Sequence, residues 1–309
     1  MPYAILFPGQ GSQFVGMGAD LFDRRPDLLG DAADEVLGWS LRSLCLEGPE
    51  DELTRTEHAQ PALYALSVAL WKELEPHLPD PPAAAAGHSL GEFSALVAAG
   101  AFDYGTGLRL VGERGRAMQA AADIEGSGMA ALLGADLETA AALCDANTAQ
   151  GGRLSVANIN APGQVVVAGG AGDLDWLDAN GRGLGVRRAI RLKVAGAFHS
   201  PFMAPARAAV ATAAADIDVS EPSFPVWANV TAQPLSADEI AAELAVQVVS
   251  PVRFADILTG MAASGIDTFV HVGPGDVTAG MAKRCVPDAT VITVSEPAGI
   301  ESAVDQLAG

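Results

Sequence analysis

Short apolar runs alternate with longer segments of helical spacing along most of this chain. Tyr3 to Phe7 is an apolar run that ends in Pro8-Gly9-Gln10-Gly11-Ser12-Gln13, a strand entering a glycine-rich loop. Apolar positions from Pro61 to about His77 recur at helical spacing, with Pro61 expected near the first turn. Ala83 to Gly87 is short and apolar, as a buried parallel strand is. Leu90 to Ala99 and Tyr104 to about Ala122 then read as helices.

The rhythm changes after Glu125-Gly126-Ser127-Gly128. Met129–Leu133 reads as a strand, Leu137–Ala146 as a helix, and Leu154–Asn158 and Gln164–Ala168 as two strands about the turn Ala161-Pro162-Gly163. A helix over Leu174–Asn180 and a strand over Val186–Val194 complete a β-α-β-β-α-β order, which is ferredoxin-like. Beyond it, helices over Pro201–Ile217, Ser236–Val248, Phe254–Ser264 and Asp276–Cys285 alternate with strands over Val226–Val230, Asp267–Val272 and Thr290–Val294. Such alternation predicts a parallel sheet covered on both faces. The expected organisation is a large α/β domain of residues 1–124 and 196–309 carrying a small ferredoxin-like α+β subdomain of residues 125–195.

Composition narrows the function. The chain has 309 residues, half of them hydrophobic, and no run of about 20 apolar residues, so no membrane span is expected. The N-terminus has no basic leader and reads as a first strand rather than a signal peptide. Cys45, Cys144 and Cys285 are odd in number and far apart, which fits free thiols in a reducing cytoplasm and no metal or redox site. A formal charge of −20 repels phosphate backbones, so nucleic acid is not an expected partner. The charge is uneven: residues 125–195 hold seven acids and six bases, against thirty-one acids and twelve bases elsewhere. Arg153, Arg182, Arg187, Arg188, Arg191 and Lys193 form either a solvated edge or a docking patch for an acidic protein.

Gly87-His88-Ser89-Leu90-Gly91 has the G-x-S-x-G form between a predicted strand and a predicted helix, the context of a nucleophile elbow, which favours catalysis over a purely structural turn. The Leu90 N–H and the helix start would face a developing oxyanion. Ser89 needs a base. Of the five histidines, His88 should point away from its neighbour, and His58 and His77 should be solvated. His271 lies in a strand, and His199 sits at a strand-to-helix junction where α/β sheets place their sites. Position favours His199 over a purely structural reading of it. Arg114 stands beside Glu113 and Arg116, which would make it a surface ion pair on spacing alone.

Gly9-Gln10-Gly11-Ser12-Gln13, Gly87-His88-Ser89-Leu90-Gly91, Arg114 in Val111-Gly112-Glu113-Arg114-Gly115, and Gly196-Ala197-Phe198-His199-Ser200 occur in that order. Together with Val272-Gly273-Pro274-Gly275 they resemble the malonyl-CoA:acyl carrier protein transacylases, including the free-standing acyltransferases of polyketide synthases. The resemblance implies a hydrolase-like α/β fold with a ferredoxin-like subdomain. It implies a Ser89 acyl-enzyme, His199 as base, backbone N–H groups of Gln10 and Leu90 as oxyanion hole, and a backbone carbonyl of Gln247 orienting the histidine. It places Arg114 on the malonyl carboxylate and Asn160 at the cleft. A Phe198-His199 pair leans toward malonyl over branched units, as does Leu90. Malonyl-CoA and an acyl carrier protein are the implied substrates, with no bound cofactor and a monomeric, cytoplasmic enzyme expected. The rivals are a serine thioesterase or esterase, a transferase for another acyl group, and an inactive docking subunit. Fatty acid and polyketide synthesis are not separable by these residues.

Overall fold

Strands β1 (Tyr3–Phe7), β2 (Ala84–Gly87), β7 (Val226–Trp227), β8 (Thr268–Val272) and β9 (Thr290–Val294) pair in parallel in the order β7-β2-β1-β8-β9. The computed structural model describes residues 2–308. Side chains alternate across this sheet, as strand geometry requires. Ile5, Phe7, Ala85, Val270 and Val272 join one core with the helix Thr56–Leu74. Ala4, Leu6, Ala84, Ala86 and Phe269 join a second core with Phe254, Ile257, Leu258 and Met281 of the helices Phe254–Ala263 and Val277–Cys285. Both faces are thus covered, which explains why β1 and β2 are continuous apolar runs.

A second sheet is antiparallel and holds β3 (Ser127–Leu133), β4 (Ser155–Ala161), β5 (Gln164–Gly170) and β6 (Arg188–Arg191) in the order β4-β5-β3-β6. With the helices Leu137–Thr148 and Ala171–Asn180 this is the ferredoxin-like β-α-β-β-α-β unit. Ala130, Leu132, Val165 and Val167 pack beneath its helices, while Met129, Ala157, Val166 and Ala168 meet Phe198, Met203 and Val210. Backbone bonds from Ile159 N–H to the Val252 carbonyl (2.8 Å) and from Val252 N–H to the Ala157 carbonyl (2.9 Å) tie β4 to the parallel-sheet region.

Three elements differ from expectation. The helix expected from Pro61 begins at Thr56, so Pro61 lies in its interior. Every residue from Ala59 to Trp71 is buried, and that tertiary packing outweighs the hydrogen bond Pro61 cannot make. The strand expected over Val226–Val230 stops at Trp227, because Ala228 to Ala232 turn back and commit Asn229 to the elbow. The last small-sheet strand is shorter than expected, Arg188–Arg191. The helix Ala237–Gln247 opens on a capping box: Glu239 Oε2 accepts from the Ser236 N–H at 3.0 Å.

Candidate active site

The chain leaves β2, turns at Ser89 and enters the helix Gly91–Ala98. Ser89 has φ 54°, a left-handed conformation that a side chain resists by about 1–3 kcal/mol. Its flanking glycines serve a different need. A Cβ on Gly87 would lie 1.8 Å from the Gly91 carbonyl carbon, and one on Gly91 would lie 2.5 Å from the Phe7 carbonyl oxygen. They permit close approach of strand and helix, whereas the strain sits on the serine. Two amide side chains hold it there. The Ser89 N–H donates to Asn229 Oδ1 (2.7 Å), and Gln247 Nε2 donates to the Ser89 carbonyl (2.9 Å).

His199 comes from 110 residues further along the chain and places Nε2 2.8 Å from Ser89 Oγ. Its other ring nitrogen, Nδ1, lies 2.9 Å from the Gln247 carbonyl oxygen. With the carbonyl accepting from Nδ1–H, the lone pair falls on Nε2, facing the serine hydroxyl. Burial first, and then the nearby Arg114 charge, push His199 down to about 3, so the ring is neutral at pH 7. His199 too has positive φ, 57°. A neutral, oriented imidazole on a serine hydroxyl is a general-base arrangement without a carboxylate.

Arg114 is fully buried on the helix Tyr104–Ile124, not at the surface. Glu113 and Arg116 pair with each other instead. The Arg114 guanidinium donates to Gln60 Oε1 (2.6 Å), Gln247 Oε1 (2.8 Å) and Ser89 Oγ (3.0 Å). All three acceptors are neutral, Nε has no partner, and among the described residues Arg114 forms no ion pair. Burial lowers it to about 10, so it stays cationic at pH 7. A buried cation without a paired anion is an unfavourable arrangement unless a ligand brings one.

A cavity of about 250 Å³ opens onto Ser89 and His199, between the parallel sheet's C-terminal edge and the small sheet. Gln10, His88, Asn160 and Phe198 line it, and Lys193 stands at its wall. Arg114 lies just behind its floor, bonded to the lining residues Gln60 and Ser89. Among the described residues, the N–H groups of Gln10 and Leu90 donate to no protein acceptor, which leaves both available to an oxyanion. His88 turns from Ser89, and its Nε2 meets Asn160 Oδ1 at 2.8 Å. His271 is a packing histidine held between Thr278 Oγ1 and the Gly273 carbonyl. Of the six basic residues singled out for docking, Arg153 pairs with Glu125 and stacks on Phe202, and Arg191 pairs with Asp175 and Asp178. Among the described residues, Arg182, Arg187, Arg188 and Lys193 form no ion pair.

Four residues at the site carried no motif: Gln60, Glu92, Asn229 and Glu243. Glu92 has no exposed surface, and its Oε2 accepts from the Asn229 N–H (3.0 Å) and from Gln247 Nε2 (2.9 Å). Burial and the neighbouring Glu243 raise it to about 8. The Gln247 side chain, beyond its carbonyl, is the hub joining Arg114, Ser89 and Glu92.

Comparison with known proteins places the chain in a family. Malonyl CoA-acyl carrier protein transacylase of Bacillus subtilis is 40% identical over 98% of this chain and 96% of its own length. Polyketide biosynthesis protein ThaF of Burkholderia thailandensis is 40% identical over 98% of this chain, which spans 26% of that longer protein. An acyl-carrier-protein S-malonyltransferase from Bartonella henselae superposes with a TM-score of 0.94, at 36% identity over the whole of both chains. A malonyl-transacylase solved in complex with the acyl carrier protein of a type II polyketide synthase superposes at 0.93, at 36% identity over 99% of this chain and all of that one. The acyl transferase domain family itself matches residues 5–299, a span that holds the elbow, the buried arginine and the histidine alike, and the chain belongs to that family.

Proposed function

We propose that this protein transfers a malonyl group from malonyl-CoA, through an ester on Ser89, to the phosphopantetheine thiol of an acyl carrier protein. The observation that carries this reading is Arg114: a cationic guanidinium, fully buried, in no ion pair among the described residues, and touching the nucleophile. A malonyl thioester carries its free carboxylate two bonds from the carbonyl that Ser89 would attack. One group therefore has to sit beside the other. Guanidinium binds such a carboxylate through two parallel N–H bonds.

The steps follow from the contacts. The incoming carboxylate takes the guanidinium donors, and Nη2 releases Ser89 Oγ. His199 Nε2 accepts the hydroxyl proton as Oγ attacks the thioester carbon. The Gln10 and Leu90 N–H groups receive the oxyanion. The carbon–sulfur bond breaks, and CoA leaves with the proton from His199. The carrier thiol then gives its proton to the same nitrogen and attacks the ester, and Ser89 recovers its hydrogen. In this reading residues 125–195 are the inserted unit that walls the cleft opposite the elbow, with Phe198 restricting the space beside the α-carbon. Filling that space discriminates against a branch by about 1–3 kcal/mol.

Incubation with a panel of acyl-CoAs, followed by intact mass and peptide mapping, tests the reading. The expected result is a malonyl adduct on the peptide containing Ser89, in excess of acetyl and methylmalonyl adducts. An enzyme that hydrolyses malonyl-CoA without transfer to a carrier thiol would refute it.

Carrier docking belongs to the same proposal. Lys193 at the cavity wall is the base nearest the site, and Arg182, Arg187 and Arg188, in no ion pair among the described residues, are the further bases offered to an acidic carrier. Arg153 and Arg191 already have carboxylate partners. Transfer to the carrier is expected to slow as salt rises from about 50 to about 300 mM, several-fold more than acylation by malonyl-CoA does. Equal salt dependence of the two half-reactions would argue against this face.

A further inference from the structure

Glu92 has no place in the acyl-transfer steps, yet it is fully buried. It sits in the first turn of a helix whose every residue is buried. The bland reading of such an acid is a complement to the helix dipole. Its contacts say more. Through Oε2 it holds the Asn229 N–H and the Gln247 amide, the two residues that pin the N–H and the carbonyl of strained Ser89. The same Gln247 amide presents its oxygen to Arg114. A single amide therefore separates the buried guanidinium from the buried carboxyl. Among the described residues Oε1 meets no donor, so one oxygen of this carboxyl is left without compensation if it is charged.

We propose that Glu92 is a positioning residue and the alternate counter-charge of Arg114, competing through Gln247 with the substrate's carboxylate. The proposal rests on the reading of Arg114 as the malonyl clamp. With Glu92 ionised, the guanidinium is partly compensated from behind, and a second anion in front is repelled. With Glu92 protonated, the cationic site is open to malonyl. Binding the malonyl carboxylate therefore raises the Glu92 value and draws a proton onto it from solvent at pH values between its free and its bound pKa.

The charged and titratable groups facing Glu92 are few. Arg114 approaches from the helix Tyr104–Ile124, and Glu243 from the helix Ala237–Gln247, with Glu239 one turn further away. The histidines His88 and His199 are both shifted toward neutrality. Burial and Glu243 together bring Glu92 to about 8, inside the range where an enzyme can be assayed. As a raised carboxyl it is neutral below that value and ionises above it, so malonyl affinity should fall as pH rises through it.

The test is the KM of malonyl-CoA for acylation of Ser89, followed as CoA release between about pH 6.5 and 9. The wild-type KM is expected to rise about three- to tenfold across this window. Glu92→Gln keeps an oxygen for both accepted bonds and removes only the ionisation, so its KM should be flat with pH. Glu243→Gln removes a neighbouring charge, which lowers the Glu92 value and should move the wild-type rise to lower pH, an outcome that decides the matter even if Glu92→Gln fails to fold. A wild-type KM independent of pH, or a Glu92→Gln enzyme that keeps the rise, would overturn the proposal. Absence of a malonyl adduct on Ser89 at every pH would instead defeat the reading of Arg114, leaving a different signature.

Discussion

Replacing Arg114 with Ala is expected to reduce malonyl loading of Ser89 by roughly 10³-fold while raising acetyl loading above the wild-type level. The asymmetry follows from what the guanidinium touches. A malonyl carboxylate brought against the truncated side chain would be desolvated with no partner, and sites built around a polar pairing discriminate strongly when one half is missing. An acetyl group asks for no such partner. In the wild type it leaves the guanidinium donating to Ser89 Oγ at 3.0 Å, which withdraws electron density from the attacking oxygen. Without Arg114 that bond is gone and Oγ is held by His199 alone. The substitution also leaves Gln60 Oε1 and Gln247 Oε1 without a donor, at about 1–3 kcal/mol each, offset by release of a buried cation. Arg114→Lys is a useful companion. It keeps the charge, loses the planar fork, and should fall between the two. Quenched-flow acylation with malonyl-CoA and acetyl-CoA, beside thermal melts of each variant, reads both effects. Malonyl loading that survives Arg114→Ala unchanged removes the clamp from the mechanism.

The residues gathered at this site were legible in sequence wherever a local motif carries them. Ser89 lies in a five-residue pattern with a strand before it and a helix after it, and His199 lies at a junction where α/β sheets carry function. The ferredoxin-like order was readable because each of its strands is bounded by a turn or a cap. Arg114 was ambiguous: its neighbours Glu113 and Arg116 made a surface pair plausible, and only the family resemblance moved it inward. What the sequence does not reveal is the side-chain support, of which the resemblance supplies only the Gln247 carbonyl. Asn229 meets Ser89 across 140 residues of sequence, and Gln247 meets it across 158. No spacing announces contacts of that range. Glu92 could have been flagged, since it is an acid in the apolar run Gly91-Glu92-Phe93-Ser94-Ala95-Leu96, but a helix N-terminus accounts for an acid without any partner. Asn229 hid inside an expected strand that the turn at Ala228 to Ala232 cuts short.

Gly87→Ala is expected to destabilise the protein by about 3–5 kcal/mol, with the melting temperature falling by roughly 5–8 °C and acylation lost with it. Glycine in an elbow is usually credited with conformational freedom, but that is not what Gly87 and Gly91 supply. The left-handed backbone is at Ser89, with φ 54°, and neither glycine has a positive φ. At Gly87 a methyl group would fall 1.8 Å from the Gly91 carbonyl carbon, 1.9 Å from its oxygen and 2.3 Å from the Glu92 nitrogen. These are backbone atoms and cannot swing aside as a side chain can. Relief requires the helix Gly91–Ala98 to lift from β2, and Gly91 is itself wedged so that a Cβ there would meet the carbonyl oxygens of Phe7 and Pro8 at 2.5 and 2.7 Å. Lifting it displaces the Leu90 N–H proposed for the oxyanion and pulls Glu92 from Asn229 and Gln247. One methyl group would therefore disturb the nucleophile, the oxyanion site and the support together. Gly100→Ala supplies the contrast. That residue has φ 75° with open space around it, so it measures backbone preference alone, about 1–2 kcal/mol. If the two variants melt together, close approach is not what the motif's first glycine provides. If Gly87→Ala is far the worse and Gly100→Ala stays active, the G-x-S-x-G pattern in this chain encodes the contact between strand and helix, and Asn229 and Gln247 hold the strain on the serine.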